Sequence, residues 1–109
     1  MRFKITAEKA TTEVMQQIAV SSEYPEIEPL ESTSSEQHFG LVEAALVAAI
    51  IGEVVQLAKL LVDARKKREQ ESLTCYISTP VILNVEFNVQ ATDTLEMVEA
   101  RLKDKLRVN

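Results

Sequence analysis

The side chains of this chain that are best suited to catalysis are one histidine, one cysteine and the 17 carboxylates. His38 lies close in sequence to Glu36 and Glu43, and a histidine beside a carboxylate is the usual pair for general acid–base catalysis. No third group completes a catalytic arrangement. We therefore interpret His38 as a residue near the start of a helix without a catalytic role. Cys75 lies on the apolar face of an alternating segment, which favours a small core residue over a nucleophile.

Metal and cofactor sites are not predicted. A zinc site needs three or four histidine, cysteine or carboxylate ligands at helical or turn spacings, and the chain has one histidine and one cysteine. Phosphate-binding loops need several glycines so that backbone amides can approach the ligand, and only Gly40 and Gly52 are present. We predict no catalytic, metal-binding or cofactor-binding residue, and hence a protein that is not an enzyme.

One polar surface deserves comparison with a binding site. Glu86 alternates with Asn84 and Asn88 on one face of a predicted strand, and Thr74 and Tyr76 would join them if two strands pair. Such a surface offers hydrogen bonds to a polar ligand. We interpret it as the solvated face of a sheet, which is the common arrangement in antiparallel sheets.

The elements that must position these residues follow from hydrophobic periodicity. The first six residues alternate and predict a strand, followed by a helix that ends near Val20. A long helix over 38–71, strands over 73–78 and 81–90 and a last helix that begins near Asp93 complete the order. We predict an α+β domain of two layers over residues 1–109, with about three strands, helices on one face and the order β-α-α(long)-β-β-α.

The connection over 21–37 is rich in glutamate, serine and threonine, contains two prolines and has no basic residue. This composition predicts a mobile, acidic linker. The alternative is a short recognition motif that contacts a partner. Its candidate residues are Tyr24, Glu26, Ile27 and Glu28.

The long helix is the main argument about association. Between residues 41 and 62 its strongly polar side chains are few, and one side carries small residues that would let a second helix approach closely. A helix of 34 residues would span about 50 Å, more than a compact domain of this size. We predict a homo-oligomer, with a dimer favoured. The predicted self-association interface is Ala45, Ala48, Ala49, Gly52, Gln56 and Lys59.

A basic cluster ends this helix. Basic side chains suit a helix C-terminus because they complement its exposed carbonyls, and this is the simpler explanation. The alternative is contact with an anionic partner. The residues concerned are Arg65, Lys66, Lys67 and Arg68.

Nucleic-acid binding is disfavoured by the formal net charge of −5. The order of elements is similar in outline to that of one type of KH RNA-binding domain. KH domains clamp RNA with a Gly-x-x-Gly loop, and the corresponding segment 21–37 has no glycine, so we claim no family.

A membrane span over 41–62 is disfavoured by Glu53 near its centre, although it is not excluded. The N-terminus resembles no signal peptide and one cysteine forms no internal disulfide, so we predict a cytoplasmic protein.

Together these features predict a small non-enzymatic adaptor, accessory or regulatory protein that binds protein and self-associates through the long helix. Two alternatives remain at this stage. One is a small acidic inhibitor of a basic protein target, encoded by a mobile element. The other is a membrane-active effector.

Overall fold

The computed structural model describes residues 2–21, Ile27, 31–34 and 45–107, and only the backbone of 31–34 and 45–51. The described elements, in chain order, are β1 (Arg2–Glu8), α1 (Lys9–Val20), β2 (Glu31–Ser34), β3 (Ala45–Ile51), α2 (Val54–Arg68), β4 (Ser72–Ser78), β5 (Val85–Gln90) and α3 (Leu95–Leu106).

The strands form one antiparallel sheet in the order β2-β3-β1-β4-β5. Strand β1 is central because it pairs on both sides, with β3 and with β4. Its alternation places Phe3, Ile5 and Ala7 on one face, where all three are fully buried. The strand predicted from the first residues is therefore confirmed and lies at the centre of the sheet.

The three helices cover the face that Phe3 shares with the buried side chains of β4 and β5. Each helix presents an apolar stripe of period 3.6 to this face, and together they bury one continuous core. The prediction of an α+β fold in two layers, with helices on one face, is confirmed. The largest buried side chains are Phe3, Phe87, Ile5, Met15, Ile18, Leu57, Leu60, Leu61, Leu73 and Ile77.

The prediction of one long helix over 38–71 is wrong. Ala45–Ile51 is strand β3, which pairs with β1 over seven residues, and only Val54–Arg68 is helical in the described part of that segment. A short apolar run fits a buried strand as well as a buried helix, and here an open edge of β1 decides between them. Glu53 has an extended backbone at the N-cap of α2, so the chain turns between the two elements. Within the residues that the structure describes, the sheet has five strands rather than three.

The acidic segment 21–37 is not a linker over its whole length. Glu31–Ser34 forms β2 and pairs with β3, so the linker prediction is wrong for these four residues. Ile27 is 5% exposed and belongs to the core cluster. The rest of 21–37, apart from Ser21, lies outside the described residues, and its mobility stays a prediction.

The alternation over 81–90 predicts a strand that begins at Val81. The strand instead begins at Val85, and 79–84 form a loop. Asn84 has a left-handed backbone with φ of 52°, which asparagine tolerates better than most residues. Beyond this loop the two strands pair in register as an antiparallel hairpin.

Candidate functional site

The outer face of the sheet, turned away from the helices, carries polar side chains from three neighbouring strands. Arg2 and Lys4 of β1 are both exposed there. The register places Lys4 opposite Ser78, and Tyr76 opposite Glu86 on the next strand. Tertiary pairing thus joins the basic end of β1 to the polar face that the sequence indicated around Glu86.

The polar face has cross-strand order. Thr74 Oγ1 donates a hydrogen bond of 2.6 Å to Asn88 Oδ1, as their register predicts. Asn84 belongs instead to the loop, where its N–H donates to Ser78 Oγ at 2.8 Å. The face therefore contains Thr74, Tyr76, Glu86 and Asn88, without Asn84.

A pocket of about 310 Å³ lies at the basic end of this face. Its size falls at the lower end of the range for small-molecule sites, which is roughly 300–1,000 Å³. It combines cationic, hydroxyl and apolar groups. We call it the Arg2/Lys4 pocket, and its lining residues are Arg2, Lys4, Ser78, Thr79, Pro80 and Leu83.

The loop wall of the pocket is held by its own hydrogen bonds. The Thr79 N–H donates to Ile82 O at 2.7 Å, and Thr79 Oγ1 accepts from the N–H groups of Val81 and Ile82 at 3.3 and 3.1 Å. A threonine hydroxyl that accepts such bonds fixes a turn. The wall is therefore formed before any ligand arrives.

The same loop exposes two large aliphatic side chains, Val81 at 85% and Leu83 at 74%. Pro80 and Leu83 give the Arg2/Lys4 pocket an apolar wall beside its cations. Because they are exposed, these two side chains are not part of the hydrophobic core. An amphipathic ligand would cover part of this surface while its charged group meets the cations.

Within the described residues, the two cations of the pocket lack the carboxylate partner that Arg68, Arg101 and Lys103 each have. Among the residues that the structure describes, neither Arg2 nor Lys4 forms an ion pair. Arg68, by contrast, pairs with Glu8 at 3.1 Å. Two adjacent unpaired cations on a strand attract an anion.

A second charged cluster lies where β5 meets α3. Asp93 is 7% exposed at its side chain, accepts the Gln90 N–H at 2.7 Å and pairs with Arg101. The bond from Gln90, together with the positive charges of Arg101 and Arg65, lowers the pKa of Asp93 against the opposing effect of burial. Every charge here has a partner, so the cluster stabilises the fold rather than awaiting a ligand.

The basic cluster at the end of α2 is largely structural. Arg65 Nη1 donates to Gln70 O at 3.0 Å, just beyond the left-handed C-cap at Glu69. Arg68 pairs with Glu8. Lys66 and Lys67 are exposed, and their proposed contact with a partner stays a prediction.

The predicted self-association face does not exist as a helix surface. Ala45, Ala48 and Ala49 lie in β3, whose two neighbours are β2 and β1. Gly52 lies between β3 and α2, so it cannot share a helix with them. Self-association itself stays a prediction that the mass in solution would check. Of the remaining interface residues, α2 contains the half-buried Gln56 and the exposed Lys59.

Several predicted residues cannot be placed. Tyr24, Glu26 and Glu28 of the recognition motif lie outside the described residues, whereas Ile27 is buried in the core and is not available to a partner. The possible acid–base residues are also outside the described part. They are Glu36, His38 and Glu43.

Cys75 is fully buried on the inner face of β4, and burial raises the pKa of its thiol to about 12. A thiol with so high a pKa is not a nucleophile at neutral pH. In the described part of the chain, no group of three or more histidine, cysteine, aspartate or glutamate side chains is arranged to hold a metal ion. The helices of that part all fall short of the length and hydropathy needed to cross a membrane.

The Arg2/Lys4 pocket was missed by sequence reasoning. The alternation of the first strand did place Arg2 and Lys4 on one face, but nothing in the sequence indicated that the 79–84 loop would lie beside them. The two segments are more than seventy positions apart and meet only through the pairing of β1 with β4.

Neither the protein-family models nor the curated proteins include a match to this chain. Among solved structures, it is similar to a phage SAM lyase in its apo state, at 14% identity over 85% of this chain and 90% of that one, with a TM-score of 0.43. It is also similar to a phage SAM lyase in complex with S-methyl-5'-thioadenosine, at 17% identity over 83% and 88%, again with a TM-score of 0.43.

Both similar structures are of an enzyme. This finding contradicts two predictions, namely that the protein is not an enzyme and that it acts as a non-enzymatic adaptor, accessory or regulatory protein. The non-enzymatic adaptor is therefore corrected, and neither it nor the acidic inhibitor and membrane-active alternatives are retained. At this TM-score the likeness assigns no activity, substrate or site to the present chain. The function must be argued from the chain's own residues.

Proposed function

We propose that this protein binds a small organic anion, a carboxylate or phosphate with an apolar part, in the Arg2/Lys4 pocket. The observation that carries the proposal is the juxtaposition, at one preformed pocket, of an exposed aliphatic wall with two cations that have no ion pair among the described residues. The anion lies on Arg2 and Lys4, and Leu83 and Pro80 cover the apolar part.

The expected affinity is modest because the cations are exposed. Each exposed ion pair contributes about 0.2–1 kcal/mol, and apolar contact adds about 25 cal/mol per Å² removed from water. A small ligand that uses two such pairs and part of the loop wall therefore binds in the millimolar range, on the order of 4 kcal/mol.

Hexanoate is the simplest probe, and hexanamide is its uncharged match. Titration followed by backbone amide NMR should shift the signals of Lys4, Ser78 and Thr79 with hexanoate, while hexanamide has little effect. The double variant Arg2→Gln/Lys4→Gln should weaken hexanoate binding by about tenfold, if each ion pair contributes a few-fold.

The matched control is Lys66→Gln/Lys67→Gln, which removes the same charge from exposed positions on α2. It should bind hexanoate as the unmodified protein does. Equal loss in both double variants would show that net charge alone drives binding, and the proposal would then be wrong. Unchanged binding in Arg2→Gln/Lys4→Gln would also refute it.

The comparisons supply one pair of larger ligands to try, and the pocket supplies the reason to try them. S-adenosylmethionine carries a carboxylate, whereas S-methyl-5'-thioadenosine does not. If the pocket selects for an anion, S-adenosylmethionine binding should weaken in Arg2→Gln/Lys4→Gln, and any binding of S-methyl-5'-thioadenosine should be unaffected.

A further inference from the structure

The polar face continues from the Arg2/Lys4 pocket to a group of opposite charge. Ser78, which lines the pocket, is followed on the same face of β4 by Tyr76, and the register places Tyr76 opposite Glu86 of β5. Arg2 and Lys4 therefore lie at one end of a continuous surface and Glu86 lies at the other.

Sheet geometry sets the separation of the two ends. Lys4 and Glu86 lie two strands apart and two residues out of step, because Lys4 pairs with Ser78 while Glu86 pairs with Tyr76. With strands about 4.8 Å apart and about 3.4 Å per residue, their Cα atoms are roughly 12 Å apart. Both side chains are long enough to lean toward a ligand between them.

The Glu86 carboxylate is available. Lys105 donates from Nζ to the backbone carbonyl of Glu86 at 3.0 Å rather than to its carboxylate. Within the described residues, the exposed carboxylate itself forms no ion pair. Tyr76, its cross-strand neighbour, is half-buried, and an aromatic ring beside a carboxylate is a favourable setting for a cationic group.

From this arrangement we infer that the ligand is dipolar: its anionic group lies on Arg2 and Lys4, and a cationic group at its far end lies on Glu86. The ligand class is an elongated zwitterion, for which an ω-amino acid is the simplest representative. This inference rests on the proposed function, because it assumes that the anion binds at the basic end.

The probes are octanoate and 8-aminooctanoate, which have the same chain length and differ by a terminal ammonium group. For the unmodified protein, the dissociation constant of 8-aminooctanoate should be lower than that of octanoate by about threefold, the effect of one exposed ion pair. Amide signals near Glu86 and Tyr76 should shift with 8-aminooctanoate alone. The shorter 4-aminobutanoate should show no advantage over butanoate, because it cannot reach both ends.

The variant Glu86→Gln should abolish the preference for 8-aminooctanoate and keep the binding of octanoate. The matched control is Glu13→Gln, at an exposed position on α1, which should keep the preference. Circular dichroism of both variants checks that the fold is retained. A preference that persists in Glu86→Gln, or that is absent from the unmodified protein, overturns the inference.

The outcomes separate the two proposals. If octanoate binding does not depend on Arg2 and Lys4, the proposed function fails. If that dependence holds while 8-aminooctanoate shows no advantage, only the dipolar ligand fails.

Discussion

The two ends of the β4–β5 hairpin use charge in opposite ways. Where β5 meets α3, Asp93 is nearly buried and bonded to Gln90 and Arg101, and Arg101 lies 5.3 Å from the centre of the buried Phe87 ring. We call this group the β5–α3 clamp. At the Arg2/Lys4 pocket the charges are exposed and unpaired among the described residues. Paired, sheltered charges stabilise the fold, and exposed, unpaired ones attract a ligand.

The β5–α3 clamp and the nearby Lys105 also provide hydrogen-bond partners for the backbone of β5. Among the described strands, β5 has only β4 as a neighbour, so its other edge is unpaired within that part of the chain. Lys105 binds the Glu86 carbonyl, and Asp93 satisfies both backbone groups of Gln90, through its carboxylate and its own N–H. Because these backbone groups already have hydrogen-bond partners, they are less available to pair with another chain, which is a hazard of open edges.

Removing the aromatic centre of the clamp should have the largest effect. Phe87 is 1% exposed, so Phe87→Ala should lower the free energy of unfolding by about 3–5 kcal/mol. Urea denaturation followed by circular dichroism measures this. A loss below 1 kcal/mol would contradict the view that the clamp is built on the core.

Removing the charge that ties β5 to α3 should have the next largest effect. Asp93→Ala leaves the Gln90 N–H and the Arg101 guanidinium without their acceptor, which should lower the free energy of unfolding by about 1–3 kcal/mol. The same denaturation experiment applies. Arg101→Ala should give a smaller loss, because the Gln90 bond remains.

The clamp should also make stability depend on pH. The folded-state pKa of Asp93 lies below its ordinary value of 3.8. Its contribution is therefore fully present above that value and is lost as the pH falls through the lower folded-state pKa. Unfolding free energies measured from neutral pH downward should fall less steeply for Asp93→Asn than for the unmodified protein. Equal slopes would mean that the pairing contributes no stability.

Changes at the pocket should have the smallest effect on stability. Arg2→Gln and Lys4→Gln each remove an exposed charge that has no ion pair within the described residues, so each should change the unfolding free energy by less than about 0.5 kcal/mol. If either variant lowers the free energy of unfolding as much as Asp93→Ala does, the charges of the two regions do not differ in their contribution to stability. Ligand binding, in contrast, should fall in both variants.

Periodicity predicted the parts of the fold that bury one face of a regular element. The strand of Phe3 and Ile5, the strand of Leu73 and Ile77, and the last helix are present, and Lys103 pairs with Glu99 at 3.0 Å as their spacing predicts. Each of these segments repeats a clear period of 2 or 3.6.

Periodicity failed where a segment is apolar on all sides. Ala45–Ile51 has no polar residue to reveal its period, so its sequence fits a helix and a strand equally. Gly52, directly after it, was the available sign that one element ends and another begins. The outcome depended on β1, whose edge was open to a seven-residue partner.

The sequence by itself determined the fold class, the central strand and the single cysteine's place in the core, because each depends on which side chains of one segment leave water. Only the tertiary structure decided that β3 is a strand and that Arg2 and Lys4 meet the 79–84 loop. Both depend on the pairing of distant segments, and backbone hydrogen bonding between strands is set by the partner rather than by a local pattern.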